Sequence, residues 1–238
     1  MIREEFVPSI FRDPFIPDGE KSTYHVGITG QPGGMEVSQV VVHTRGGYHT
    51  TLEVGPAQRH RDGREPVMTI EQRIGRIDGF LHAETYRAQT FSGSTLVSRE
   101  EANFVDTVHL QPGGLPAPYP ANVMPIAAGL TLLRGLEFAE GLMETVDVWL
   151  AFSVHWPLLV RVEKQVVLTG PAGVFSCWQV RLRPGFEHVN GMLDKMVGSV
   201  VPPFLAYFEV AAPHRLVQLS FPTQMSMSAP RATMELVS

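Results

Sequence analysis

Asp78, His82, Glu84 and Tyr86 supply a carboxylate, an imidazole, a second carboxylate and a phenol within one short stretch. All four occupy even-numbered positions. An unbroken strand projects alternate side chains from one face, so the four are expected on the same face. On the concave side of a sheet, such a row could move protons. His82 would serve as base or acid near neutral pH. Glu84 would orient it or raise its pKa. Tyr86 or Arg45 would steady a developing oxyanion. His43, Arg45, His49 and Asp78 would line the substrate as a polar wall. The same stretch also reads as the solvated face of an antiparallel strand, with Leu81, Ala83 and Thr85 toward the core. A metal site is a further alternative: His82 and Glu84 with His43 or His49 would give two imidazoles and a carboxylate, a set that suits zinc or iron. The spacing lacks His-Glu-x-x-His and departs from the cupin His-x-His pattern, so no metal is assigned. No redox-cofactor fingerprint, Gly-x-Ser-x-Gly elbow or phosphate-binding Gly-x-x-x-x-Gly-Lys occurs, and the expected chemistry needs no organic cofactor.

The elements that must position these residues read as β. Thr23–Thr29, Val37–His43 and Tyr48–Val54 are β-rich and are separated by the turn signals Gln31-Pro32-Gly33-Gly34 and Arg45-Gly46-Gly47. Two strands follow, Val67–Ile74 and Ile77–Gln89, with a break near Gly75. Thr145–Val154, Leu158–Leu168, Val174–Arg183, Phe204–Val210, Arg215–Phe221 and Ala232–Val237 complete the set. Three helices are expected. Ser98-Arg99-Glu100-Glu101 has the capping-box pattern. Asn122–Arg134 has a cap, an early proline and Ile126, Leu130 and Leu133 at helical spacing, with Gly135 to end it. Asn190–Val201 has Met192, Met196 and Val200 in step. The absence of βαβ alternation argues against a doubly wound fold. The fold class is mainly β: a single large curled antiparallel sheet or barrel-like fold with two or three helices.

Composition narrows the rest. The chain has 238 residues, 44% of them hydrophobic, and a net charge of −5, which excludes disorder for most of its length. Cys177 is the only cysteine, so a disulfide framework and a cysteine-ligated metal are excluded, and it reads as a buried thiol in a core strand. The arginines are scattered without a basic block, which argues against nucleic acid. No run of about 18 apolar residues predicts a membrane span. The first 21 residues are rich in charge and proline, so they read as an extended arm rather than a leader, followed by one β-rich domain over 22–238. Cytoplasmic location is the default expectation, with homo-oligomerisation through the arm as an option.

Five segments carry a resemblance. They are Gly19-Glu20-Lys21-Ser22-Thr23-Tyr24-His25-Val26, Leu133-Arg134-Gly135-Leu136, Glu140-Gly141, Gly170-Pro171-Ala172-Gly173-Val174-Phe175 and Pro213-His214-Arg215-Leu216-Val217. In order, they resemble a bacterial family known mainly as a domain of unknown function. The resemblance covers about residues 19–238. It implies a large curled antiparallel sheet packed on a helix, it implies no catalytic residues, and members of that family are often exported.

Ten Met and 13 Phe, with Met192, Met196, Phe204, Tyr207 and Phe208 close together, suit an adaptable apolar pocket or an ordinary core. The expected function is therefore an intracellular enzyme that encloses a hydrophobic small molecule in its sheet. Its acid/base residues would be His82, Glu84 and Tyr86, and its reaction that of a lyase, isomerase or hydrolase. The alternative is a carrier for a lipid-like or hydrophobic ligand.

Overall fold

The computed structural model describes residues 9–57, 66–105, 107–110, 116–151, 154–185, 202–224 and 229–238. It is mainly β. The strands are β1 (Phe11–Arg12), β2 (Glu20–Ile28), β3 (Met35–Thr44), β4 (Gly47–Pro56), β5 (Pro66–Ile77), β6 (Phe80–Ser92), β7 (Thr95–Asn103), β8 (Val108–Leu110), β9 (Pro116–Pro118), β10 (Val123–Pro125), β11 (Met143–Ala151), β12 (Val154–Gly170), β13 (Gly173–Pro184), β14 (Phe204–Glu209), β15 (Leu216–Pro222) and β16 (Arg231–Leu236). Fourteen of them form one sheet in the order β1-β6-β5-β4-β3-β2-β16-β15-β14-β13-β12-β11-β10, with β7 also on β6. Every pairing in it is antiparallel except β10 with β11.

The sheet curls until its ends meet. β10 returns against β6, and the Tyr86 ring of β6 meets Trp149 of β11 edge-on, with centroids 5.3 Å apart. Phe104, just after β7, meets the same Trp149 at 5.8 Å. Inside lies one continuous core that includes Tyr24, Val41, Leu52, Ile74, Leu81, Val162, Val180 and Phe208. Cys177 is fully buried in β13, and burial pushes its thiol up to about 11.

Local chemistry explains several elements. Ile77 pairs with Phe80, so Asp78 and Gly79 are the two central residues of a tight hairpin, and both have positive φ, at 50° and 84°. Asp-Gly is a preferred pair for such a turn. Asp78 therefore belongs to a turn and not to the strand row expected for it. The Ser98-Arg99-Glu100-Glu101 segment is also not a helix. It lies in β7, where hydrogen bonding to β6 overrides the capping pattern. The Asn122–Arg134 helix is shorter than expected. Val123–Pro125 pairs as β10, then a 3-10 turn (Ile126–Ala128), one α-helical turn α1 (Gly129–Leu132) and a second 3-10 turn (Leu133–Gly135) follow. Asn122 does not cap it; its amide donates to Thr145 O. The expected helix Asn190–Val201 lies outside the described residues.

The arm folds back on its own chain. Phe11 and Ile16 are fully buried in the core, each contributing about 1.5–3 kcal/mol by burial. Phe11 pairs with Leu81 on β6. Asp13 N donates to Gly79 O at 2.9 Å. The Asp13 carboxylate accepts from Tyr48 OH, from Phe15 N at 2.9 Å and from the Arg76 guanidinium. Tyr48 OH in turn accepts from Ile16 N at 3.1 Å. Phe11 and Ile16 of the described arm are thus covered within the chain, whereas Phe15 is exposed. No described helix is long and apolar enough to cross a membrane.

Candidate functional site

The expected catalytic row is divided between the two faces of β6. Ile74 of β5 pairs with Ala83, but Arg73 pairs with Thr85, so Glu84 is an extra, bulged residue. A bulge reverses the parity of alternation beyond it. Leu81 and Ala83 point to the core before the bulge; Tyr86 and Ala88 do so after it. His82 therefore faces outward, whereas Tyr86 is buried inside against Trp149. Burial and, secondarily, the charge of Glu100 push the Tyr86 phenol up to about 12.

His82 and Glu84 do meet. Nε2 of His82 lies 3.7 Å from Oε1 of Glu84. Both side chains lie over Gly75, where an added Cβ would come within 2.3 Å of Glu84 Oε1 and 2.5 Å of His82 Cε1. Glycine is what leaves room for the pair. Burial lowers the His82 pKa, and the Glu84 charge works against that shift.

The other predicted residues are scattered. His43 is an anchor for the arm: its Nε2 donates to Ile16 O at 2.7 Å, and its backbone N donates to Asp18 Oδ1 at 2.7 Å. Arg45 is exposed in the turn between β3 and β4. The metal alternative gains no third ligand from these, and among the described residues no group of three or more His, Cys, Asp or Glu is placed to hold an ion.

His49 of that set lines a recess. A groove of about 550 Å³ lies across β4, β5, β6 and β7, lined by His49, Glu71, Arg73, Thr85, Arg87, Glu101 and Asn103 among others. These side chains alternate with core-facing Thr50, Gln72 and Tyr86, so the groove is on the outer face of the sheet. They form two cross-strand rows. His49, Arg73, Thr85 and Asn103 are successive register partners. At about 4.8 Å per strand, that row is about 14 Å long. The neighbouring row is Glu71, Arg87 and Glu101.

The second row is an ion-pair ladder. Arg87 Nε donates to Glu101 Oε1 at 2.6 Å, and its Nη1 lies 3.6 Å from Glu71 Oε2. Arg99 Nη2 donates to the same Glu101 oxygen at 2.7 Å. Hydrogen bonds from Arg99 and Arg87 hold the Glu101 carboxyl below its usual range. The first row has no such pairing: no carboxylate of the described residues lies within ion-pair reach of Arg73. Arg73, Thr85, Asn103 and the ladder were not anticipated. Glu71, Arg73 and Arg87 alternate as any solvated face does, and only the stacking of four strands in register gathers them.

No protein-family model matches the chain, and no curated protein matches it. Solved structures do. One is a β-barrel-like protein of the domain of unknown function DUF1849 from Brucella abortus, with TM-score 0.48, 11% identity and 98% of both chains covered. Another is a "putative exported protein" with a YmcC-like fold from Bacteroides fragilis, with TM-score 0.33, 9% identity, and 97% of this chain and 98% of that one covered. A third is a "putative lipoprotein" from Parabacteroides distasonis, with TM-score 0.35, 10% identity, and 98% of this chain and 99% of that one covered. The cytoplasmic location expected from the sequence is corrected on this finding: the names of the last two point outside the cytoplasm, and that assignment is withdrawn. The chain's own architecture is mainly β, one large curled sheet, in keeping with the resemblance to an uncharacterised bacterial family built on such a sheet.

Proposed function

We propose that the protein binds a polar small molecule in the outer-face groove across β4–β7. The observation that carries this reading is a recess of about 550 Å³ whose walls come from four strands in register. That volume is within the usual range for small-molecule sites, about 300–1,000 Å³. The outward side chains of the lining, His49, Glu71, Arg73, Thr85, Arg87, Glu101 and Asn103, are charged or hydrogen-bonding, beside Gln72, Tyr86 and Ala102, and they favour a polar ligand over the hydrophobic one expected from the sequence. Binding is favoured over acid/base catalysis because the bulge at Glu84 separates His82 from Tyr86, which removes the phenol from the expected machinery.

Thermal unfolding across a panel of organic acids, sugars and amines tests this. Thr85 points outward from mid-strand, where an aromatic residue is compatible with β structure. Thr85→Trp should fill the groove and leave the fold intact. A ligand at 100 times its Kd adds about 2.7 kcal/mol, which for a chain this size raises Tm by about 5–10 °C. At least one class of compound should stabilise the wild type by that amount and leave Thr85→Trp unmoved. Equal shifts in both proteins, or no shift in either, would overturn the proposal.

A further inference from the structure

We infer that the ligand presents an oxyanion, a carboxylate or phosphate group, to the row His49, Arg73, Thr85 and Asn103; this rests on the groove being the binding site. The two rows of the groove use their charge differently. In the ladder, Glu71 and Glu101 stand against Arg87 and Arg99, two negative charges against two positive, and contacts of 2.6 to 3.6 Å bind them to one another. Arg73 has no such partner among the described residues, so its guanidinium is the groove-lining cation left open to a ligand.

The rest of the row consists of donors. Asn103 Oδ1 is occupied: it accepts from Val105 N at 2.9 Å. That bond fixes which end of the amide is spent and leaves the NH₂ end to face a ligand. Thr85 supplies a hydroxyl and His49 a ring N–H. Arg73 supplies a planar fork that matches carboxylate and phosphate oxygens two at a time. Four donors over about 14 Å, one of them cationic, favour an acceptor-rich anionic group over an amine or a neutral sugar. Strand pairing fixes their spacing, and in the adjacent ladder Glu71 and Glu101 are engaged by Arg87 and Arg99.

The test is an NMR titration of the full chain at constant ionic strength. The probes are inorganic phosphate, citrate and methyl glucoside. The signals are the Arg73 Nε–H, the Asn103 side-chain amide and the His49 ring. Phosphate, citrate or both should give saturable shifts, and which of them does so distinguishes the two anion classes. Arg73→Gln should weaken that binding by at least about 10-fold, while Arg183→Gln, at an exposed position of β13 outside the groove, should not alter it. Saturation by methyl glucoside alone, unaffected by Arg73→Gln, would overturn the anion inference and leave the groove as a binding site. Anion shifts that are linear and identical in Arg73→Gln would also overturn it. Silence from all three probes, together with no stabilising compound in the thermal panel, would overturn both.

Discussion

His82 is the residue whose chemistry and environment are most at odds with its surroundings on a sheet surface. Burial strips water from the ring and lowers its pKa from the ordinary 6.5, and the Glu84 carboxylate 3.7 Å away only partly offsets this. The sign of the linkage follows. Below 6.5 the unfolded chain binds a proton that the folded ring resists, so stability is lost as pH falls from about 6.5 to the folded pKa and is level below it. Glu84→Gln removes the favourable charge, so the ring should titrate lower still. A His82 resonance followed by NMR from pH 4 to 8 checks this, and an upward shift in the variant would contradict the assigned cause. The chemical type of His82 and its closeness to Glu84 were legible in the sequence, because i, i+2 neighbours stay close whichever face they take. The loss of Tyr86 from the group was not legible.

At the scale of the element, β6 shows why parity failed. Counting by twos from His82 to Tyr86 assumes an unbroken strand, and the bulge at Glu84 inserts one residue into the count. Deleting Glu84 removes only the residue without a partner on β5: Ala83, facing in, is then followed directly by Thr85, facing out, and Tyr86 and Ala88 keep their core-facing positions. We expect both the deletion and Glu84→Ala to retain a cooperative thermal transition, as measured by circular dichroism; loss of the transition in the deletion alone would show that the bulge itself is needed to place Tyr86. Other elements were misjudged for related reasons. β7 presents almost no buried side chains, so its sequence carries no period of two to compete with the capping box. Asp78-Gly79 gave a strong turn signal, but it sat between two β-rich runs and was absorbed into one of them.

At the scale of the molecule, three of the segments that carry the family resemblance converge on one buried cation. Arg134, 1% exposed, donates to both oxygens of Glu20 at 2.5 and 3.1 Å, and its Nε donates to Pro213 O at 2.8 Å. Tyr24 lies buried beside this pair, and desolvation pushes its phenol up to about 12. Arg134 thereby ties the turn that follows α1 to the start of β2 and to the connection between β14 and β15. Glu20→Ala would leave a buried guanidinium without its carboxylate, which costs about 3–5 kcal/mol. Calorimetry should show Tm lower by about 6–20 °C, and a change under 2 °C would show that the network is not structural. The same turn also secures the arm: a Cβ at Gly135 would stand 2.1 Å from Arg12 O, so β1 packs directly on its backbone.

The sequence by itself determined a mainly β chain punctuated at its glycines and a buried single thiol. Those properties follow from local propensity, turn chemistry and composition, which each residue carries wherever the chain goes. Only the tertiary structure decided which face each side chain takes, that His43 anchors the arm to Ile16 O, and that among the described residues Arg73 has no ion-pair partner such as Arg87 has. Face and pairing depend on register against neighbouring strands, and a single bulged residue changes both for the rest of its strand. The groove is built from side chains as distant in sequence as His49 and Asn103, so its chemistry exists only once β4, β5, β6 and β7 lie side by side.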